Sequence, residues 1–335
     1  MEAKPTVLLL SVLLLAGCLQ AAPPGDGTVE VIFSIQGEET RVTGTTGEQA
    51  IDNWTLLLYK DDKLVEAGAS NSGAAIKKKL VTGDYTAFAV VNPPTSFRAD
   101  SYPRLGTLTE AESTLRDNAP GRLVMTGSRT ITVPVPDGNT QRIGVDRMVC
   151  KAGIRKISVL FTDPVLSGRT FRLKAIYLTN CYGKSRYGSD WNASDILSDP
   201  SYWYNRMGFQ TDSAVDGILA DMDIDAILTA DSPYMQEHAF YFYPNPLPET
   251  LDSRSETWSR RHTRLVIEAQ IGERTYYYPV TLPASHRNRT YFIEEAVIRD
   301  LGSLDPELEQ PGTVDITFST STDDWSPVYS VTETS

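Results

Sequence analysis

Residues Gly27 to Ile35 read GTVEVIFSI, and residues Gly312 to Thr320 read GTVDITFST. Five of the nine positions are identical, and Glu30 against Asp315 and Val31 against Ile316 are conservative exchanges. Alternation with period 2 puts Val29, Val31, Phe33 and Ile35 on one face of the first copy, and Val314, Ile316 and Phe318 on one face of the second. Each copy therefore predicts a β-strand with one buried face. Strands carrying the same side chains in the same register fit the same groove, so the C-terminal copy can replace the N-terminal one, within one molecule or in a neighbour. The plainer account is that few residue types suit a half-buried pleat. Four buried apolar side chains are worth roughly 1.5–3 kcal/mol each before entropy is counted, against about 5–15 kcal/mol for a typical domain. A fold that lost such a strand would need a substitute.

The chain around these copies has 335 residues, enough for two domains that each bury a core. A hydrophobic content of 41% and a charged content of 22% are ordinary for a globular protein. The formal charge of -12 argues against nucleic acid as a partner, since phosphate backbones are held by clustered Lys and Arg. Ahead of the first copy, Lys4, the apolar run Val7 to Leu15 and the sequence Leu15-Ala16-Gly17-Cys18 form a signal peptide. It resembles a bacterial lipobox, which implies that the Cys18 thiol is acylated and becomes the N-terminus. No later apolar run approaches the ~18 residues of a membrane span, so the mature protein is expected to be anchored by lipid and not to span a membrane.

After the first copy comes GEETRVTGTTGEQ (Gly37 to Gln49), polar and with one basic residue, Arg41. An extended loop of this kind suits an arginine-specific protease cutting between Arg41 and Val42, the plainer account being an ordinary surface loop that contains an Arg. Strands are then predicted at Trp54–Tyr59, Gly83–Val91 and Thr130–Val135, with turns at Asp61-Asp62, Asn92-Pro93-Pro94 and Asp137-Gly138-Asn139. Thr109 followed by Glu112, with Pro120-Gly121 as a stop, predicts a short capping-box helix. A second block of strands follows at Ile154–Phe161, Phe171–Leu178, His238–Tyr243, Arg264–Gln270, Thr275–Leu282 and Thr290–Ile298. A Pro-bearing stretch (Asp305 to Gly312) links it to the second copy, and Pro327–Thr334 could add a strand. Short strands separated by turns, with little helix, predict a mainly β protein of two β-sandwich domains rather than an α/β enzyme core.

Catalytic chemistry finds little support. His238, His262 and His286 show no metal-ligand spacing, and the phosphate, dinucleotide and serine-hydrolase fingerprints are missing, so neither enzyme activity nor a cofactor is expected. The run Asp221 to Asp225 fails as a calcium loop because Ala226 and Ser232 replace the required Gly and Glu. Cys150 and Cys181 could be bridged or free. The aromatics Trp191, Tyr202, Trp203 and Tyr204, in the irregular stretch Asn180–Ser232, suit either loop packing or the stacking of a sugar face.

Several motifs in order resemble the FimA-type fimbrillins, subunits of type V pili in Bacteroidales. They are the lipobox at Cys18, GEETRVTG around Arg41, RLVMTG at Arg122–Gly127, VDRMVCKAGIRKISV at Val145–Val159, YYYPVTL at Tyr276–Leu282, RNRTYFI at Arg287–Ile293 and a closing strand ending in Asp324-Trp325. RNRTYFIEEAVIRDLG departs from the regular alternation expected of that signature.

The resemblance implies a signal peptide over residues 1–18 and a transthyretin-like β-sandwich domain over 19–144, whose segment 28–41 is removable. A second domain then covers 145–304, and residues 305–335 form a linker with donor strands. It further implies cleavage after Arg41, loss of the strand bearing Val29, Val31, Phe33 and Ile35, and insertion of another subunit's strand bearing Val314, Ile316 and Phe318. The expected function is that of a pilin in an adhesive surface fimbria, with other pilins, a protease and a host protein or glycan as partners. The alternative is an anchored lipoprotein that binds glycan or host protein through the Asn180–Ser232 loops.

Overall fold

The structure is a computed structural model that describes residues 27–35, 47–71, 73–94, 96–111, 118–135, 138–189, 203–204, 220–221, 224–247, 262–306 and 308–321. In the N-terminal half the main strands are β1 (Thr28–Ile35), β2 (Asn53–Lys60), β3 (Lys63–Asn71), β4 (Ile76–Val81), β5 (Gly83–Val91), β6 (Met125–Val133), β7 (Thr140–Ile143) and β8 (Asp146–Arg147). In the C-terminal half they are β9 (Cys150–Ile154), β10 (Ile157–Val159), β11 (Phe171–Thr179), β12 (Ala226–Leu228), β13 (His238–Phe242), β14 (Arg264–Ile271), β15 (Arg274–Thr281), β16 (Thr290–Ile298) and β17 (Val314–Ser321). The protein is mainly β and built of stacked sheets, as the strand pattern predicts.

In the N-terminal half a sheet in the order β4-β1-β7 faces one in the order β3-β2-β5-β6-β8. Trp54, Leu56 and Leu58 of β2 point into the core between them, with Val31, Phe33, Ile131 and Ile143. The alternate residues Leu57 and Tyr59 join Phe88, Leu105 and Met148 in a second cluster on the outer face. Burial on both faces explains why β2 reads as a continuous apolar run instead of an alternating one. Asp61 and Asp62, between β2 and β3, both have positive φ, 49° and 62°, as a two-residue hairpin of type I′ requires.

In the C-terminal half β9 and β10 lie in succession along one side of β16, parallel to it, with β13 outside β9. The facing sheet has β14 between β11 and β15, with β12 also on β11. Gly153 in β9 is needed for this pairing, because a Cβ there would come within 2.2 Å of the His238 carbonyl oxygen. Cys150 and Cys181 are buried and not bridged to each other, and the Cys150 thiol donates to the Phe242 carbonyl at 3.2 Å. The RNRTYFI signature ties the halves together: Arg287 donates to the Thr126 hydroxyl at 3.3 Å as well as to the Arg186 and Ser189 carbonyls of its own half, and Asn288 accepts from Arg147 and donates to Asp146.

Two expectations need correction. Thr109 opens no helix, because Thr109–Ala111 pairs as a short strand with Lys184–Arg186, and that distant pairing outweighs the local capping signal; residues 112–117 lie outside the described residues. Ile154–Phe161 is not one strand but the end of β9 and then β10, with a bend at Arg155 and Lys156. Thr290–Ile298 is a strand as expected, and the irregular alternation after RNRTYFI is a bulge in it, since the pairing of β16 with β17 shifts between Ile293 and Glu295. The Asp221–Asp225 run is in part an ion cluster: Asp225 accepts from Arg172 and Lys174, at 3.0 and 2.7 Å.

Candidate strand-exchange site

β1 is the middle strand of its sheet. It runs antiparallel to β4, with Val29 opposite Leu80, Val31 opposite Lys78 and Phe33 opposite Ile76, and parallel to β7, with Ile35 opposite Ile143. Val31 and Phe33 have no exposed surface, Ile35 is 2% exposed, and Val29 packs at the edge of the same core. Removing β1 would unpair the facing backbone groups of both β4 and β7 and open an apolar trough. On the solvent face Glu30 lies opposite Lys79 and is 4.0 Å from Lys77.

β17, which carries the second copy, is placed differently. It has β16 along one side, running antiparallel from Val314 opposite Ile298 to Ser321 opposite Thr290. Val314 and Ile316 are partly buried against the C-terminal core, and Phe318 lies opposite Ile293. Asp315 is exposed and accepts from Arg299 at 2.7 Å. A cleft of about 700 Å³ lies beside the strand and its linker, lined by His262, Val280, Leu282, Pro311, Val314 and Ile316. The linker is held by Glu309, which accepts from the Thr281 amide at 2.8 Å. Gly312, at φ 80°, precedes the strand in a conformation that favours glycine. Among the described residues the strand thus sits at a sheet edge beyond a turn, while its twin is paired along both sides.

No protein-family model matches the chain, and no curated relative matches it in sequence. Solved structures do match in fold. The candidate cell adhesion protein of Bacteroides eggerthii superimposes with a TM-score of 0.63 at 15% identity, covering 88% of this chain and 95% of that one. The fimbrilin FimA of Porphyromonas gingivalis gives 0.58 at 15% identity, covering 88% and 96%. The tip fimbrial protein Mfa3 of the same organism, with a C-terminal truncation, gives 0.55 at 13% identity, covering 87% and 99%. The chain has the fimbrillin fold.

On this fimbrillin fold the predicted processing residues Arg41 and Val42, like Cys18, lie outside the described residues. The chain resumes at Gly47, and there the structure shows a residue that sequence reading missed. Glu48, 9% exposed, accepts from Lys151 at 2.8 Å and from the Tyr241 hydroxyl, while its carbonyl accepts from Arg147 at 3.0 Å. Burial raises the Glu48 pKa, but the hydrogen bonds from Lys151 and Tyr241 and the charges of Lys151 and Arg147 outweigh it. The net result is a carboxyl held below its usual range. Burial and the bond to Glu48 push the Tyr241 hydroxyl up, so the pair stays carboxylate and phenol. The end of the predicted cleavage loop is therefore pinned to the C-terminal half. Of the aromatics, Trp203 and Tyr204 pair with Tyr182 and Cys181 in a two-residue ladder, and Trp191 and Tyr202 lie outside the described residues.

Proposed function

We propose that the chain is a structural, non-catalytic pilin of an adhesive surface fimbria. In this reading it is exported as a lipoprotein precursor acylated on Cys18 and held at the outer membrane. An arginine-specific protease cuts after Arg41, and β1, bearing Val29, Val31, Phe33 and Ile35, leaves the N-terminal domain (19–144). The C-terminal strand of another subunit, released beyond the linker of 305–312, then fills the trough with Val314, Ile316 and Phe318. This is strand addition, with main-chain hydrogen bonds supplying affinity and alternate side chains setting register. Because the donor end and the acceptor trough are different surfaces, the contact is head-to-tail and extends as a filament.

The observation that carries the reading is the contrast between the twins, since β1 is the middle strand of its sheet and β17, among the described residues, is an edge strand on another. The loss of one creates the demand that the other can meet. The test is limited digestion of the purified chain with an arginine-specific protease, followed by N-terminal sequencing and sizing. The account expects a new N-terminus at Val42 and ladders of oligomers that vanish when residues 312–335 are deleted. A cleaved chain that stays monomeric would overturn it and leave an anchored binding protein as the better reading.

A further inference from the structure

The lysine edge of the trough shows how a second copy would be recognised, an inference that rests on the strand-exchange reading above. We propose that Lys77 and Lys79 of β4 form the surface that receives the acid at position 315 of an incoming closing strand, and that Arg299 holds the same acid at home until the strand is released. In the precursor the place of that acid is taken by Glu30, directly opposite Lys79 and 4.0 Å from Lys77, on the solvent face. In the register that puts Val314, Ile316 and Phe318 where Val29, Val31 and Phe33 sit, Asp315 takes the position of Glu30. A slip of one residue would turn Asp315 toward the core and the apolar set toward water, and a two-residue slip toward Val81 would lift it off Lys79.

The charges around the trough fit this role. The whole chain is acidic, at a formal -12, so two copies repel one another at long range. Against that background β4 reads IKKKLV. Its middle lysine, Lys78, is engaged with Glu66 at 2.6 Å and with the Ala67 carbonyl. Lys77 and Lys79 stand exposed on the face where Glu30 is. After loss of β1 they are a local positive strip on an acidic molecule, of the kind that raises association rates at low salt. At home Asp315 meets Arg299 at 2.7 Å, so release of the closing strand exchanges one cation for two.

The test follows elongation of the protease-cleaved full chain by light scattering at low salt. Wild type is compared with K77E/K79E, with K77E/K79E carrying D315K, and with K77E/K79E carrying R299A. Reversing both lysines is expected to slow elongation roughly tenfold, an effect that fades as salt screens the charges. Adding D315K is expected to restore most of the rate, whereas R299A, which frees the strand without matching the charge, is not. Elongation of K77E/K79E at the wild-type rate, or equal rescue by R299A, would overturn the inference. Failure of the wild type to elongate at all after cleavage would instead sink the strand-exchange reading beneath it. Melting of the uncleaved precursors checks folding. Should K77E/K79E not fold, K77Q/K79Q makes the same comparison, with about threefold slowing expected.

Discussion

Phe33 and Phe318 are the same residue in two copies of one pattern, and under the proposed strand exchange they distinguish the precursor from the polymer. The Phe33 ring is fully buried among Trp54, Ile131 and Val133. Phe33→Ala should therefore destabilise the uncleaved chain by about 3–5 kcal/mol in a urea titration. It should leave elongation of the cleaved chain unchanged, because the residue has departed. Phe318→Ala should do the reverse, slowing elongation while the N-terminal core unfolds at the wild-type urea concentration. Glu48 gives a second residue-scale prediction. Its folded pKa is depressed by Lys151, Tyr241 and Arg147, so it stabilises fully above the unfolded glutamate value of about 4.3. That contribution disappears as pH falls through the lower folded value. The difference in melting temperature between wild type and Glu48→Gln should be constant from neutrality down to about pH 5 and shrink below pH 4. A difference that does not change with pH would show that the carboxylate charge contributes nothing. Nothing in the sequence marks Glu48, a polar residue in a polar loop whose partners Arg147, Lys151 and Tyr241 are about 100 to 190 residues away.

At the scale of elements, the alternation in the two copies foretells both strands and their apolar faces, and Val31, Phe33 and Ile35 are buried as that pattern requires. Alternation does not say which strand is central, because position in a sheet depends on partners elsewhere in the chain. β4 escaped notice for a related reason: as an edge strand it carries Lys77, Lys78 and Lys79, which keep an edge from aggregating but hide its strand character. The Thr109 capping signal misleads because Lys184–Arg186 supplies a strand partner that no local window contains. The bulge at Glu294 breaks the period of β16 without ending the strand. Central and edge placement also predict different dynamics. By native-state hydrogen exchange of the uncleaved chain, amides of β1 that bond to β4 should open with the N-terminal core, whereas those of β17 should exchange orders of magnitude faster. Equal protection of the two strands would contradict a detachable closing strand.

The molecule as a whole is an acidic body of two stacked-sheet cores, joined where Arg147 donates to Asn288, Arg287 to Thr126, and Lys151 and Tyr241 to Glu48. That junction fixes the chain at Glu48, so in the proposed processing removal of β1 can leave the rest of the fold in place. In the proposed exchange the closing strand would leave one half and the trough would open in the other, the asymmetry a head-to-tail filament needs. The most direct measurement of the central claim is a disulfide trap in the cleaved chain carrying Lys77→Cys and Thr317→Cys. In the twin register Thr317 takes the position of Ile32, which lies directly opposite Lys77. Residues so placed have Cβ atoms about 4.5–5.5 Å apart, near the separation that a disulfide spans. Cys150 and Cys181 are buried and should not compete. The account predicts a ladder of covalent oligomers on a non-reducing gel that collapses to monomer on reduction and is missing from each single-cysteine variant. Monomer alone under oxidation, from a cleaved chain that has assembled, would contradict strand exchange in this register.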